Sequence, residues 1–145
     1  MGTGWYTFSE AEISYMLYHY DHKWTSVNGI AGLMVLNSEK VTPSKIADAY
    51  DPNTWQHLEA EGSVFLPTAG LREYDYDIES NIVISDVGEI GYYWTSSYDM
   101  EDEDTDYAYQ LKVEEGLGTN GLDGYQTSLT WRSQGLSVRL VRLVE

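Results

Sequence analysis

Cysteine is absent from this 145-residue sequence, and histidine, another side chain common in catalysis, is rare. Without a thiol the chain cannot form disulfides, thiolate metal sites or a cysteine nucleophile. His19, His22 and His57 are the only histidines. His19 and His22 lie three residues apart near the predicted end of a helix and could bind one metal ion, but the sequence indicates no third ligand. We therefore expect no histidine-based active site.

Carboxylates are plentiful, because 24 acidic residues against eight basic ones give a net charge of -16 at pH 7. A pair such as Glu59 and Glu61 has the chemistry for glycoside hydrolysis, but such pairs arise by chance in so acidic a chain. A strongly negative surface repels phosphate backbones, so nucleic acid is not an expected partner. We interpret the protein as non-enzymatic.

One acidic run, residues 99–106, concentrates hard oxygen ligands of the kind that calcium prefers. It lacks the central glycine and the terminal glutamate spacing of an EF-hand. The preferred interpretation is a solvated acidic loop without a cofactor. The alternative is a calcium site formed by Asp102, Asp104 and Asp106.

Tyrosine and tryptophan are the second unusual feature of the composition. Thirteen Tyr and five Trp accompany only two Phe, so most of the rings have a polar group. Such residues suit half-buried positions and are also enriched at binding surfaces. Two interpretations stay open at this point: rings that pack a sheet, and rings that contact a partner.

Two helices are predicted in the first half of the chain. The first begins at Ser9, which can form a capping box with Glu12, and its apolar stripe runs to about Asp21. The second begins at Asp51-Pro52, where a capping residue precedes a first-turn proline. Gly62 is placed to end this second helix.

Short strands dominate the rest of the chain. An Asn28-Gly29 turn precedes a buried strand, and a short helical turn is considered at Thr42-Pro43. The polar, acidic stretch from Leu71 to Asp86 is predicted to be a surface loop. Strands are predicted at residues 5–8, 33–36, 64–67, 91–97, 107–113, 127–132 and 137–144. Early helices and late antiparallel strands indicate one α+β domain, and no apolar run is long enough for a transmembrane helix.

Six blocks of sequence, taken in order, resemble a known family. The blocks are Trp5-x-Thr7 through Leu17; Gly29-x-x-Gly32-Leu33-x-x-Leu36; Trp55-x-x-Leu58 through Leu66-Pro67-x-Ala69-Gly70-x-Arg72; Gly91-Tyr92-Tyr93-Trp94-Thr95-Ser96-Ser97; Ala108-Tyr109-x-Leu111; and Gly135-x-Ser137-Val138-Arg139-Leu140-Val141-Arg142. Together they resemble the Fibrobacter succinogenes major paralogous domain, common in surface and secreted proteins of Bacteroidetes-type gut bacteria.

That family is similar to the C-type-lectin-like fold of formylglycine-generating enzymes and of the variable proteins of diversity-generating retroelements. The resemblance implies a single C-type-lectin-like domain over residues 1–145, with two helices packed on short, twisted antiparallel sheets. It also implies an extracellular or cell-surface location, the chain being either a piece of a longer surface protein or a compact version of the domain. Formylglycine-generating activity is not implied, since it depends on cysteines, and the Glu-Pro-Asn and Gln-Pro-Asp tripeptides of calcium-dependent lectins are missing.

The resemblance places ligand contacts roughly between Tyr98 and Gln134. The candidate binding residues there are Tyr98, Tyr107, Tyr125, Gln126, Thr130, Trp131 and Gln134. Aromatic and short polar side chains make adaptable contacts. The implied function is binding or adhesion to a host or bacterial surface protein or glycan, without membrane insertion. The alternative is a structural or assembly module of a larger surface protein, with no ligand of its own.

Four residues of the matching blocks have a structural interpretation. Gly70 lies in a turn that needs a small residue where backbones approach. Arg72 is expected to bond buried carbonyls. Arg139 and Arg142 are expected to line one face of the last strand and to pair with the acidic middle of the chain.

Overall fold

The computed structural model describes residues 4–41, 47–75, 81–98, 106–117 and 124–142. Within these ranges the protein is a mixed α+β domain with two helices and four small antiparallel sheets. The elements are β1 Trp5–Thr7, α1 Glu10–His19, β2 His22–Val27, β3 Ile30–Val35, α2 Pro52–Ala60, β4 Val64–Pro67, β5 Leu71–Asp75, β6 Asn81–Ser85, β7 Ile90–Tyr98, β8 Tyr107–Glu114, β9 Tyr125–Trp131 and β10 Leu140–Arg142. The sheets are β1–β10, β2–β3–β4, β5–β6 and β7–β8–β9.

Helix α1 begins with the predicted capping box. Ser9 Oγ accepts from the Glu12 N–H at 3.2 Å, and Glu12 Oε2 accepts from the Ser9 N–H at 2.8 Å. Its buried residues are Ile13 and Leu17, one turn apart. The helix is capped at Tyr20, one residue before the predicted end.

Helix α2 is also as predicted. Asp51 Oδ1 accepts from the N–H groups of Asn53 and Thr54, at 2.9 and 3.0 Å. The buried side chains are Trp55 and Leu58. Gly62 follows the helix with φ of +92°, a conformation that favours glycine at a helix end.

Strand β3 is the centre of the fold, because both of its faces are buried. Leu33 and Val35 pack with Leu111 of β8 and with α1, whereas Met34 and Leu36 pack with α2. A strand covered on both faces has a continuous apolar sequence rather than an alternating one. The run predicted as a buried strand therefore lies between α1 on one side and α2 on the other.

Three segments differ from the sequence prediction, and one of them is the last strand, which begins at Leu140 and not at Ser137. Strand β2 was not predicted, although it pairs with β3 through Asn28-Gly29, where φ is 51° and 77°. Positive φ at both positions is the geometry of a two-residue hairpin, which needs a strand on each side. The predicted loop from Leu71 to Asp86 is wrong, since β5 and β6 pair as a hairpin there. The turn considered at Thr42-Pro43 lies outside the described residues.

The structural roles expected of the glycine and the arginines are met in part. Gly70 has φ of +69°, and a Cβ there would lie 2.2 Å from the Ser85 carbonyl oxygen, which confirms the need for glycine. The Arg72 side chain is exposed, and it is the backbone of Arg72 that bonds to Gly135. Arg139 pairs with Glu59 of α2 at 3.4 Å, and among the described residues it forms no ion pair with the acidic middle. The Arg142 side chain lies outside the described part.

Candidate functional site

The candidate binding residues lie mainly on β9 and around the end of the β7–β8–β9 sheet. In the β8–β9 register Trp131 lies opposite Tyr107, and Tyr125 lies opposite Val113. Trp131 lies six positions after Tyr125 along β9, roughly 20 Å away at about 3.3 Å per residue. The predicted residues therefore do not form one contiguous cluster.

Strand alternation also divides them between the two faces of the sheet. Trp131 and Tyr107 lie on the same face of the sheet as Leu111 and Val113, whose side chains pack on α1. Thr130 lies on the opposite face, because successive side chains of a strand point to opposite sides. The residues were predicted as one set, and the register separates them.

The two rings on the α1 side form what we call the aromatic platform, Tyr107 and Trp131. Their centroids are 4.3 Å apart, with ring planes tilted by 36°. Trp131 remains 50% exposed, and Leu129, on the same face, is also exposed. The platform thus presents ring surface to solvent while each ring restrains the other.

A second group of predicted residues lies on the reverse face at the same end of the sheet. Tyr98 is 53% exposed. The Thr130 hydroxyl donates to Gln134 Oε1, and the Gln134 N–H donates to the Trp131 carbonyl at 3.1 Å. Gln134 therefore braces the turn that follows Trp131, while Tyr98 offers a ring to solvent.

Arg132 joins the two groups, although it was not among the predicted residues. Its Nε donates to the Tyr107 carbonyl at 3.1 Å, and its guanidinium carbon lies 5.6 Å from the centroid of the Tyr98 ring. That position over a ring face allows a cation–π interaction. A sequence signal existed, since Arg132 directly follows Trp131 and is one of only eight cations in the chain.

Tyr125 and Gln126 do not join the site. Tyr125 is half-buried against the main core cluster, and its ring meets the His22 ring edge-on at 5.3 Å. Gln126 is exposed but lies opposite Lys112, toward the far end of β9. Tyr125 is thus placed as a packing residue at the distant end of the strand.

The strands that hold the platform are tied to the start of α1. The Glu10 N–H donates to Ser97 Oγ at 2.9 Å, and the Thr127 hydroxyl donates to Glu10 Oε1 at 3.0 Å. Ser96 N–H donates to the Phe8 carbonyl at 2.9 Å. These bonds connect β7 and β9 to one helix end, so the platform rests on regular elements rather than on a loop.

A groove of about 530 Å³ lies elsewhere, between α1, the ends of β3 and β4, and β10. Its lining is largely apolar and includes Met16, Val35 and Val64. The polar side chains Glu12 and Asn37 are already engaged, one in the capping box and the other as a donor to the Glu61 carbonyl at 2.8 Å. The Tyr15 and Tyr20 rings complete the lining, so the polar side chains of the groove that are not already engaged are phenols rather than charged groups.

The metal sites considered from the sequence gain no support. Asp102 and Asp104 lie outside the described residues, and Asp106 is exposed. Within the described ranges there is no group of three or more His, Asp and Glu residues that could hold a metal ion. His19 stacks on the Tyr15 ring at 3.8 Å, whereas His22 contacts Tyr125, so the two imidazoles have separate packing partners.

Two tyrosines have strongly perturbed acidities. Burial, together with a hydrogen bond to Asp86 at 2.8 Å, raises the pKa of the Tyr92 phenol. Burial also raises the pKa of the Tyr93 phenol, which donates to the Pro67 carbonyl at 2.6 Å. Both phenols remain protonated near neutral pH, where they act as hydrogen-bond donors and not as bases.

None of the helices in the described ranges has both the length and the apolar character needed to cross a membrane. No protein-family model, curated protein or solved structure matches the chain.

Proposed function

We propose that this chain is a non-enzymatic binding or adhesion domain of an exported bacterial protein, located at the cell surface or outside the cell. The proposal includes a C-type-lectin-like fold and membership of the Fibrobacter succinogenes major paralogous domain family. Six ordered sequence blocks support that assignment, together with the α+β architecture of two helices and antiparallel sheets. The partner is a host or bacterial surface protein or glycan.

The observation on which the proposed binding surface rests is the half-exposed aromatic platform of Tyr107 and Trp131. Tryptophan and tyrosine supply a large, rigid contact area at a low cost in side-chain entropy. The mutual restraint of the two rings lowers that cost further, since their relative orientation is set before binding. A flat sugar face or an apolar side chain of a protein fits such a surface.

Polar groups at the same end of the sheet supply specificity. Arg132 lies between the platform and Tyr98. The hydrogen-bonded pair of Thr130 and Gln134 lies on the reverse face. Binding residues of this kind are aromatic anchors surrounded by adaptable hydrogen-bonding side chains.

The test is a glycan array and a surface-protein array probed with the purified domain, in calcium and in a chelator. We expect specific binding that Trp131→Ala weakens by at least about tenfold, a loss of about 1.4 kcal/mol. The matched control is Trp5→Ala, which alters a half-exposed Trp on β1 and is expected to leave binding unchanged.

Three results would change the proposal. If Trp131→Ala left binding unchanged, the platform would not be part of the binding site. Binding that requires calcium would assign the site to Asp102, Asp104 and Asp106. An absence of binding on both arrays would favour the alternative function, a structural or assembly module with no ligand of its own.

A further inference from the structure

The β5–β6 hairpin exposes branched apolar side chains on one face. In its register Arg72 pairs with Ile84, and Tyr74 pairs with Ile82, so these four side chains share a face. Ile82 and Ile84 are 63% and 70% exposed. Val87, just after β6, is exposed as well. Contiguous exposed apolar groups of this kind mark interaction surfaces.

The backbone geometry shows which groups of β6 point outward. The N–H and C=O of Arg72 both bond to Gly135, at 2.9 and 2.7 Å, on the side away from β6. The pair of Arg72 and Ile84 is therefore a non-hydrogen-bonded pair of the hairpin. Since the two pair types alternate along an antiparallel ladder, the N–H and C=O of Ile82 and Ile84 point to the outer edge of β6.

That outer edge is open in the part of the chain that the structure describes. The sheet ends at β6, and no bridge or backbone hydrogen bond from a described residue reaches Asn81–Ser85 from outside the hairpin. The edge of β5, in contrast, is covered at Arg72 by Gly135. Among the described residues, the edge of β5 is thus covered at Arg72, and the edge of β6 has no backbone partner.

The sequence of β6 lacks the usual protection of such an edge. Native edge strands are blunted by lysine, proline, bulges or inward-pointing charges. Asn81–Ser85 contains no charged residue and no proline, and three of its five residues are Ile or Val. The strand combines high β-propensity, an exposed apolar face and outward backbone groups that no residue of the described ranges pairs with.

We propose that the outer edge of β6 binds an extended, basic and apolar segment of another protein, which adds a third strand to the hairpin. Main-chain hydrogen bonds to Ile82 and Ile84 would supply affinity, and their side chains would contact alternate apolar residues of the segment. This surface consists of other residues than the aromatic platform and does not depend on the function proposed for the platform.

Charge identifies the chemistry of the partner. The sequence contains no Lys or Arg from Glu73 to Leu111, and the whole chain has a net charge of -16. Arg72 is the one cation of the described hairpin, whereas Glu73 and Asp75 of β5 are acidic and Glu89, shortly after β6, is exposed. A second copy of this chain would meet like charge at the interface, whereas a segment rich in Lys or Arg would be attracted.

The test uses a fluorescent seven-residue peptide that alternates Lys with Val or Ile, measured by anisotropy against the whole chain. We expect saturable binding that weakens with added salt and falls by at least about tenfold when the lysines are replaced by Glu. A peptide of the same length with a central proline should bind at least about tenfold more weakly, because it cannot complete the ladder.

Substitutions in β6 test the edge itself. Ile84→Pro removes an outward N–H without removing a bond to β5, and is expected to weaken peptide binding at least about tenfold while circular dichroism stays unchanged. The double substitution Ile82→Thr with Ile84→Thr keeps β-propensity and removes apolar contact, so it should also weaken binding. The matched control is Ile30→Thr, at an exposed isoleucine of the β2–β3 hairpin.

Three results would overturn the proposal. One is the absence of saturable binding by the basic peptide. A second is equal binding by the proline-containing peptide or by the Ile84→Pro chain, which would indicate unspecific charge attraction. The third is dimerisation of the unmodified chain that Ile84→Pro abolishes, since the edge would then be occupied by a second copy.

Discussion

Trp131 and Tyr107 occupy paired positions of β9 and β8, with ring centroids 4.3 Å apart. The pair joins two strands at the end of the sheet where Arg132 also bonds to the Tyr107 carbonyl. Because Trp131 remains half-exposed, the contact restrains the ring without burying it. Its contribution to folding should therefore be small compared with that of a core residue.

Replacing Trp131 tests that expectation directly. We expect Trp131→Ala to lower the free energy of unfolding by about 1 kcal/mol, the range of an aromatic pair on a sheet surface. Leu111→Ala, at a position that is almost fully buried, should cost about 3 kcal/mol. Urea denaturation of both variants measures the difference. Equal losses would show that Trp131 is a core residue and that the platform is packing.

Close approach at Gly91 gives a second prediction. A Cβ at Gly91 would lie 2.6 Å from the Pro67 carbonyl oxygen and 2.7 Å from Val113 Cγ2, both in packed surroundings. We expect Gly91→Ala to destabilise the fold by about 3 kcal/mol through overpacking.

The matched control for this effect is Gly29→Ala. Gly29 has φ of +77°, and a Cβ added there would meet no described atom within 4 Å, so only backbone strain opposes the substitution. Its cost should be about 1 kcal/mol. Thermal melts of the two variants would contradict the packing argument if Gly29→Ala proved the more damaging.

The cap of α2 predicts a pH effect. Hydrogen bonds from the Thr54 hydroxyl and N–H hold the pKa of the Asp51 carboxyl below its usual value. A carboxyl whose pKa is lower in the folded state stabilises the fold above its ordinary pKa, and that stabilisation is lost as the pH falls through the folded value. We expect the free energy of unfolding to fall more steeply below about pH 4 in the unmodified chain than in Asp51→Asn.

Thr54→Val provides the control for the cap. It removes the hydroxyl donor and keeps the Asp51 carboxyl. The pH dependence of the free energy of unfolding should therefore differ less between Thr54→Val and Asp51→Asn than between the unmodified chain and Asp51→Asn. Urea titrations at several pH values give both slopes. Identical slopes for the unmodified chain and Asp51→Asn would show that the cap has no pH-dependent part.

Gln110 predicts a substitution that is neutral or stabilising. The side chain is 8% exposed, and its Oε1 accepts no hydrogen bond from the described residues, although Nε2 donates to Ser128 Oγ at 3.3 Å. A buried unpaired acceptor costs free energy, and methionine has a similar length without that acceptor. We expect Gln110→Met to leave the free energy of unfolding unchanged or to raise it by about 1 kcal/mol. A loss of more than about 1 kcal/mol in urea denaturation would contradict this reasoning.

Local signals in the sequence predicted the helices and most of the strands. The capping box of Ser9 and Glu12 and the Asp51-Pro52 start depend on residues within one helical turn, so their outcome is visible without the rest of the chain. The apolar run of β3 was likewise readable, since both of its faces are buried. The two-helix α+β class followed from the order of these elements.

The β5–β6 hairpin was missed for a physical reason. A strand is usually recognised in a sequence by one apolar face that is buried in the core, whereas Ile82 and Ile84 face solvent and the segments that flank β6 contain acidic residues. The average polarity of residues 71–86 therefore predicted a loop. The composition of a segment therefore does not reveal an exposed apolar strand that acidic segments flank.

The helix caps, the buried central strand, the acidic charge and the supply of Tyr and Trp could all be derived from the order of the residues, because they depend on near neighbours or on composition. Which rings share a surface could not be derived in this way. The β8–β9 register pairs Trp131 with Tyr107, and core packing holds Tyr125 against His22 at the far end of the same strand. Register and packing arise from contacts between residues far apart in the chain, and a shift of one position would exchange the two faces of the sheet.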